Sequence, residues 1–213
     1  TDANAHPHMS CDGRFSVVHN GIIENYMALR EELTANGYTF SSQTDTEVIV
    51  HLIEMYYHGD FKEAVMRATS RLTGSYALGV LCADCPGKII AVREASPLIL
   101  GIGVGENFFA SDVTALVNRS RNVIYLEDGE FAELSKESIR IFDCTGRQID
   151  KKATRILWDV QAAEKGGYEH FMLKEIMEQP RVVTDCLSGR LLRDGEGLRV
   201  SLHELDALPV PSR

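Results

Sequence analysis

No apolar run in this sequence reaches the roughly 18 to 20 residues that carry a helix across a bilayer, so no membrane span is expected. A basic cluster is missing too. The 22 Lys and Arg residues stand against 31 Asp and Glu, a formal net charge of −9, and a chain of that sign with no basic stripe is not expected to bind nucleic acid. Cysteine is sparse: Cys11, Cys82, Cys85, Cys144 and Cys186 are odd in number and scattered, which excludes a secreted disulfide framework. Reduced thiols and a cytoplasmic location are the expectation. The start Thr1-Asp2-Ala3-Asn4 has neither a Met nor the pattern of a signal peptide. It suggests a chain processed to expose Thr1, or a piece of something longer.

What is present is ordinary for a folded domain. Of 213 residues, 44% are hydrophobic and 25% charged, enough for one large domain, or one domain and part of another. Phe15 to His19, with β-branched Val17 and Val18, reads as a strand that ends at the turn dipeptide Asn20-Gly21. Tyr26, Leu29 and Leu33 recur at helical steps between Asn25, an expected N-cap, and Gly37. A second helix is predicted from about Thr46 to His58, started by Asp45 or Thr44, and a third from about Asp60 to Arg71. From Ser75 the pattern changes to short runs that read as antiparallel strands: 76–82, 88–92, 98–102, 107–110, 123–126, 131–134 and 139–142. A short helix is predicted at 113–117. Helices followed by strands indicate an α+β arrangement.

The texture changes again after Ile156-Leu157-Trp158. Glu164 to Gly167 reads as an exposed linker, so the boundary falls between a domain over 1–163 and a second segment over 164–213. That segment begins with a predicted helix, Tyr168 to Gln179, stopped by Pro180, because proline cannot continue the backbone ladder. A further helix from about Arg181 to Leu192 and a tail with Gly195, Gly197, Pro209 and Pro211 follow.

Few residues stand out chemically. His19-Asn20-Gly21 joins a side-chain amide donor to a glycine whose N–H a ligand can approach, the neutral pair an oxyanion hole needs. The same dipeptide also serves as a plain strand-end turn. Asp45 is either an N-cap or a carboxylate that pairs with a ligand ammonium. His6-Pro7-His8, even with His19, has no accompanying ligand set at metal-site spacing, so no metal is expected. A lone Cys82-Ala83-Asp84-Cys85 is neither a zinc ribbon nor a redox motif, and Gly101 to Gly105 lacks the spacing of a dinucleotide loop. No cofactor is expected.

Taken together, His6-Pro7-His8, His19 to Asn25 and Thr44-Asp45-Thr46-Glu47-Val48 closely resemble, in order and spacing, the glutaminase domain of class II glutamine amidotransferases. Ser96-Pro97-Leu98, Gly105 to Asp112 and Tyr168 to Pro180 resemble, within that class, the branch that aminates fructose 6-phosphate. The resemblance implies a four-layer αββα sandwich of the N-terminal-nucleophile hydrolase type, followed by a helical passage into a sugar-isomerase domain. It implies an N-terminal cysteine that attacks the amide of L-glutamine with its own α-amino group as base. The ammonia then passes to fructose 6-phosphate in the second domain, yielding glucosamine 6-phosphate, in a protein that is a homodimer at full length. By motif match, Asn20 and Gly21 would form the oxyanion hole, Asp45 would bind the α-amino group of glutamine, and His6 would lie in a segment lining that pocket.

The sequence departs from this pattern at one end: it begins after the family's nucleophile and after its Arg-Trp-Ala-Thr-His-Gly loop. A piece inactive by itself is therefore expected. Three other readings compete: an N-terminal threonine nucleophile at Thr1, a non-catalytic module that binds glutamine through Asp45, and another class II amidotransferase.

Overall fold

A computed structural model describes residues 1–156, 167–188, 191–194 and 197–200, in two compact units, Thr1–Trp158 and Asp159–Arg213. In the first unit β1 (His8–Met9) and β2 (Phe15–Ile23) precede three helices, α1 (Tyr26–Ala35), α2 (Glu47–Tyr56) and α3 (Phe61–Thr69). Then come β3 (Gly74–Cys82), β4 (Lys88–Glu94), β5 (Ile99–Ile102), β6 (Asn107–Ala110), β7 (Asn122–Tyr125), β8 (Phe131–Ser135), β9 (Ile139–Phe142), β10 (Gln148–Ile149) and β11 (Thr154–Arg155). They form two antiparallel sheets, a larger one ordered β1-β2-β3-β4-β8-β9-β10 and a smaller one ordered β11-β7-β5-β6.

Strand alternation decides which residues each layer receives. On β3, Tyr76, Leu78, Val80 and Cys82 point into a core shared with Leu52 and Ile53 of α2 and Val65 of α3. Ala77, Ala91 of β4 and Ala132 of β8 point the other way, against Leu98, Leu100 and Ile124 at the smaller sheet. On β3 the larger side chains thus meet the helices and Ala77 meets the second sheet, where Leu134 of β8 and Ile141 of β9 join the alanines. This is the α+β architecture expected, with a helical layer and two sheets formed by described residues.

Several local expectations change. The strand from Phe15 does not stop at Asn20-Gly21. It runs on to Ile23, paired with β3 over its whole length. Gly21 makes this possible: its φ is +130°, and a Cβ there would lie 2.0 Å from the Ser75 carbonyl oxygen. Asn25 occupies the N-cap position of α1 but makes no cap bond. Its amide instead donates to the Arg71 carbonyl at 2.8 Å and accepts from the Thr73 N–H at 3.0 Å, tying the helix start to the entry of β3. The short helix expected at 113–117 is a 3₁₀ turn, Val113–Ala115, capped by Asp112.

The second unit contains α4 (Phe171–Leu187) and a hairpin of β12 (Leu191–Asp194) and β13 (Gly197–Val200). Pro180 does not stop the helix; it lies inside α4. One lost ladder bond and a ring clash cost about 3 kcal/mol, and the helix continues on both sides, with apolar Leu173, Ile176, Val183 and Leu187 at steps of three, seven and four residues. The Thr184 hydroxyl donates to the Pro180 carbonyl at 2.7 Å. Nor does helix reach Leu192, which pairs with Arg199 in the hairpin. The expected linker at 164–166, the 163/164 boundary, Leu157-Trp158, Gly195, Pro209 and Pro211 lie outside the described residues.

Candidate functional site

Strand β2 sends its residues to both sides of the larger sheet. Val17 and His19 are buried, and Val18 and Asn20 are exposed. Opposite Val18 and Asn20 the partner strand offers only Gly79 and Ala77. A Cβ on Gly79 would fall 2.4 Å from the ring of Phe109. A cavity of about 320 Å³ lies here, with Val18, Asn20, Ala77 and Gly79 on one side and Phe109, Ala110 and Ser111 of the β6 end on another. His6, His19 and Leu98 complete it. The absence of side-chain bulk on β3, rather than a loop, opens the space.

Beside the cavity a polar chain runs inward. His19 is 5% exposed, and its Nδ1 lies 2.9 Å from the Thr46 hydroxyl. The same hydroxyl comes within 3.5 Å of His6 Nε2, and the Thr44 hydroxyl within 3.2 Å of His8 Nε2. The His6 and His8 rings meet edge to face at 5.3 Å. Burial pushes the proton affinity of His19 below its ordinary 6.5, the Asp45 charge opposing this and His6 reinforcing it. His8 is lowered for the same first reason. Both imidazoles are therefore neutral at pH 7, and His19 Nε2 is a buried polar atom with no hydrogen-bond partner among the described residues.

Asp45 is not the helix cap. The N-cap position of α2 belongs to Thr46, with no side-chain cap bond. Asp45 Oδ2 instead accepts the Ile23 N–H at 2.7 Å, 22 residues away, pinning the end of β2 to the start of α2. Each carboxylate oxygen has two acceptor lone pairs, so this bond leaves capacity for a ligand ammonium.

The structure thus brings His6, His19 and Asn20 to one cavity, while Gly21, next to Asn20 on β2, and Asp45 are not among its lining residues. The sequence reading missed Glu47. Its carboxylate, 2% exposed, accepts the Ser41 N–H at 2.7 Å, the Ser42 N–H at 2.7 Å and both serine hydroxyls. Burial alone would raise its pKa, but these donors win and hold it down to about 2. The Ser41-Ser42 pair five and six residues ahead of a glutamate at a helix start is the signal that could have found it.

A family profile described as a glutamine amidotransferase domain matches residues 1–118, more than half of the chain. Among curated relatives, the glutamine–fructose-6-phosphate aminotransferase (isomerizing) of Caldanaerobacter subterraneus is 53% identical over 92% of this chain and 32% of its own. The enzyme of the same name from Thermus thermophilus is 50% identical over 99% of this chain and 35% of its own. The chain spans about a third of the length of the curated relatives it matches. Among solved structures, the glutamine phosphoribosylpyrophosphate amidotransferase of B. subtilis superposes with a TM-score of 0.57 at 25% identity, over 66% of this chain and 32% of its own.

Proposed function

The chain belongs to the glutamine amidotransferase domain family, and we propose that it forms the glutamine-hydrolysing part of a glutamine–fructose-6-phosphate aminotransferase. In that reading the whole protein splits the side-chain amide of L-glutamine to glutamate and ammonia. The ammonia passes to fructose 6-phosphate in a segment that the relatives have and these 213 residues do not span.

One observation carries the reading: Asn20 lines a cavity at the point where β2 passes Gly21, a position that only glycine can occupy. Attack on an amide carbonyl builds negative charge on its oxygen, and fixed neutral donors stabilise that charge more than the uncharged ground state. Asn20 Nδ2 and the Gly21 N–H take that role. Asp45 pairs with the substrate's α-ammonium group, and His6 forms the adjoining wall. His19, neutral and held by Thr46, orders the strand beneath them.

Among the described residues no thiol lines this cavity, and its one lining hydroxyl is that of Ser111. Cys11, Cys82, Cys85 and Cys144 do not line it, and exposed Thr1 does not either. The 213-residue polypeptide is therefore expected to release no glutamate above background in a coupled assay. Turnover abolished by blocking the Thr1 amine would overturn this and support a threonine nucleophile. In the whole protein, Asn20→Ala is expected to lower kcat for glutamine hydrolysis about 10²- to 10³-fold with little change in KM. An unchanged kcat would remove Asn20 from the oxyanion hole.

A further inference from the structure

Past its buried start, α2 carries a second set of polar groups that the glutaminase reading does not use. His51 and Glu54, three residues apart, share one helix face, and the loop after β1 brings Cys11 to them from 40 residues away. Cys11 Sγ lies 3.7 Å from His51 Nδ1, which lies 3.6 Å from Glu54 Oε2, and the three ligand atoms are all within 4.8 Å of one another. We propose that Cys11, His51 and Glu54 form a binding site for a divalent cation of the zinc class.

The spacing suits such an ion. With metal bonds of about 2.3 Å to sulfur, about 2.05 Å to nitrogen and about 2.1 Å to oxygen, tetrahedral angles separate S from N by about 3.6 Å and N from O by about 3.4 Å. The S–N and N–O separations differ from these by a few tenths of an ångström, and the S–O pair, within 4.8 Å, closes toward about 3.6 Å when the ion binds. A thiolate, an imidazole and a carboxylate are the donor set that zinc prefers, whereas magnesium and calcium prefer oxygen alone.

The surroundings supply a second, independent indication. His51 is 1% exposed, and its other ring nitrogen, Nε2, has no hydrogen-bond partner among the described residues. It faces Glu47 Oε1 at 3.6 Å, and that carboxylate is held by Ser41 and Ser42. A cation on Nδ1 keeps the proton on Nε2, directed at a carboxylate, as histidine ligands of metal sites commonly arrange it. The Phe40 ring packs edge-on against the imidazole at 4.8 Å and fixes its plane. Glu54 Oε2 already accepts the Cys11 N–H at 2.8 Å, so the loop is in place before an ion arrives. Because Cys11 is exposed, the fourth position is open to water. None of the three residues lines the Asn20 cavity, so this site stands or falls apart from the glutaminase reading.

The test is a cobalt(II) titration of the 213-residue chain under a non-thiol reductant, followed by displacement with zinc. One equivalent is expected, with tetrahedral visible bands and a thiolate-to-metal charge-transfer band. Cys11→Ser is expected to abolish the charge-transfer band and weaken binding at least tenfold. Glu54→Gln is expected to weaken binding while keeping the band, and Cys85→Ser to change neither. A band that survives Cys11→Ser, or that is lost in Cys85→Ser, would overturn the assignment. So would uptake by the unaltered chain no greater than by the Cys11→Ser, Glu54→Gln double variant, which would leave a plain thiol–imidazole contact.

Discussion

Helix α2 buries every residue from Glu47 to Ile53, two of them ionisable. Helix α4, 17 residues long, buries none, although Met172, Leu173, Ile176, Met177, Val182 and Val183 are all apolar and all at least 43% exposed. Helix α2 is the more apolar of the two, with Val48, Ile49, Val50, Leu52 and Ile53 close together, whereas α4 interleaves its apolar residues with Lys174, Glu175, Glu178, Gln179, Arg181 and Asp185. What α2 also has is a partner for each polar group it takes inside: Ser41 and Ser42 for Glu47, and Glu47 and Cys11 for His51. A buried carboxylate is tolerable only on those terms. The two helices predict very different responses to substitution.

The largest effect is expected in the α2 core. Leu52 is fully buried against the larger sheet, and Leu52→Ala removes that packing and leaves a cavity, at a cost of about 2 to 5 kcal/mol. A denaturant melt measures it. A loss under 1 kcal/mol would mean that α2 is held far more loosely than its burial indicates.

Next is Glu47, whose contribution depends on pH. Its carboxyl is held down to about 2 from an ordinary 4.5, so the folded state favours the ionised form. The stabilisation, about 3 kcal/mol, is complete above pH 4.5 and is lost as pH falls from there through about 2. Glu47→Gln turns an amide donor toward Ser41 and Ser42 and is expected to cost about 2 to 3 kcal/mol at pH 7. It should also flatten the acid limb between pH 4.5 and 2. An acid limb equally steep in the variant would assign the loss to other carboxylates.

A milder slope is expected at higher pH. His19 and His8 bind protons less readily folded than unfolded, because burial disfavours the imidazolium. The unfolded chain therefore takes up protons first, and stability begins to decline as pH falls below about 6.5, before the Glu47 limb starts. His19→Gln should delay that onset, read from melting temperature between pH 8 and 5. An onset unmoved by the substitution would mean that His19 is not buried as a neutral ring.

The contrast also marks what was legible in the sequence. Period and punctuation were: β6 and β9 fall at the residues the pattern indicates, and α3 is capped by Asp60, whose side chain accepts the Glu63 N–H at 2.9 Å. The family motif was legible too, because His19 to Asn25 and Thr44 to Val48 are contiguous words. Contacts across long separations were not. Asn20-Gly21 read as a turn because only the β3 pairing shows that the strand continues. For Asp45 the sequence offered a cap or a ligand carboxylate, and not the bond to the Ile23 N–H, because Ile23 is 22 residues distant. In the Cys11–His51–Glu54 cluster only His51 and Glu54 have a helical spacing, and Cys11 joins them from 40 residues away once α2 packs against β1. Pro180 misled in another way: local propensity said stop, but a single proline costs a helix one rung and not its continuity.

The smallest effect is expected in α4, and it is the sharpest test of the contrast. Met172 and Met177 are 66% and 58% exposed, so replacing each by serine takes almost no apolar surface back into water. Each change is expected to alter stability by less than about 0.5 kcal/mol, the range for open surface positions. The melting temperature of the Met172→Ser, Met177→Ser chain should therefore match that of the unaltered one at micromolar concentration. A drop well beyond this would show the two side chains covered in solution. If the drop grew with protein concentration, the cover would be a second copy of the chain, because association stabilises by mass action. A drop independent of concentration would instead place the cover within the chain itself. Either result would end the contrast between α2 and α4.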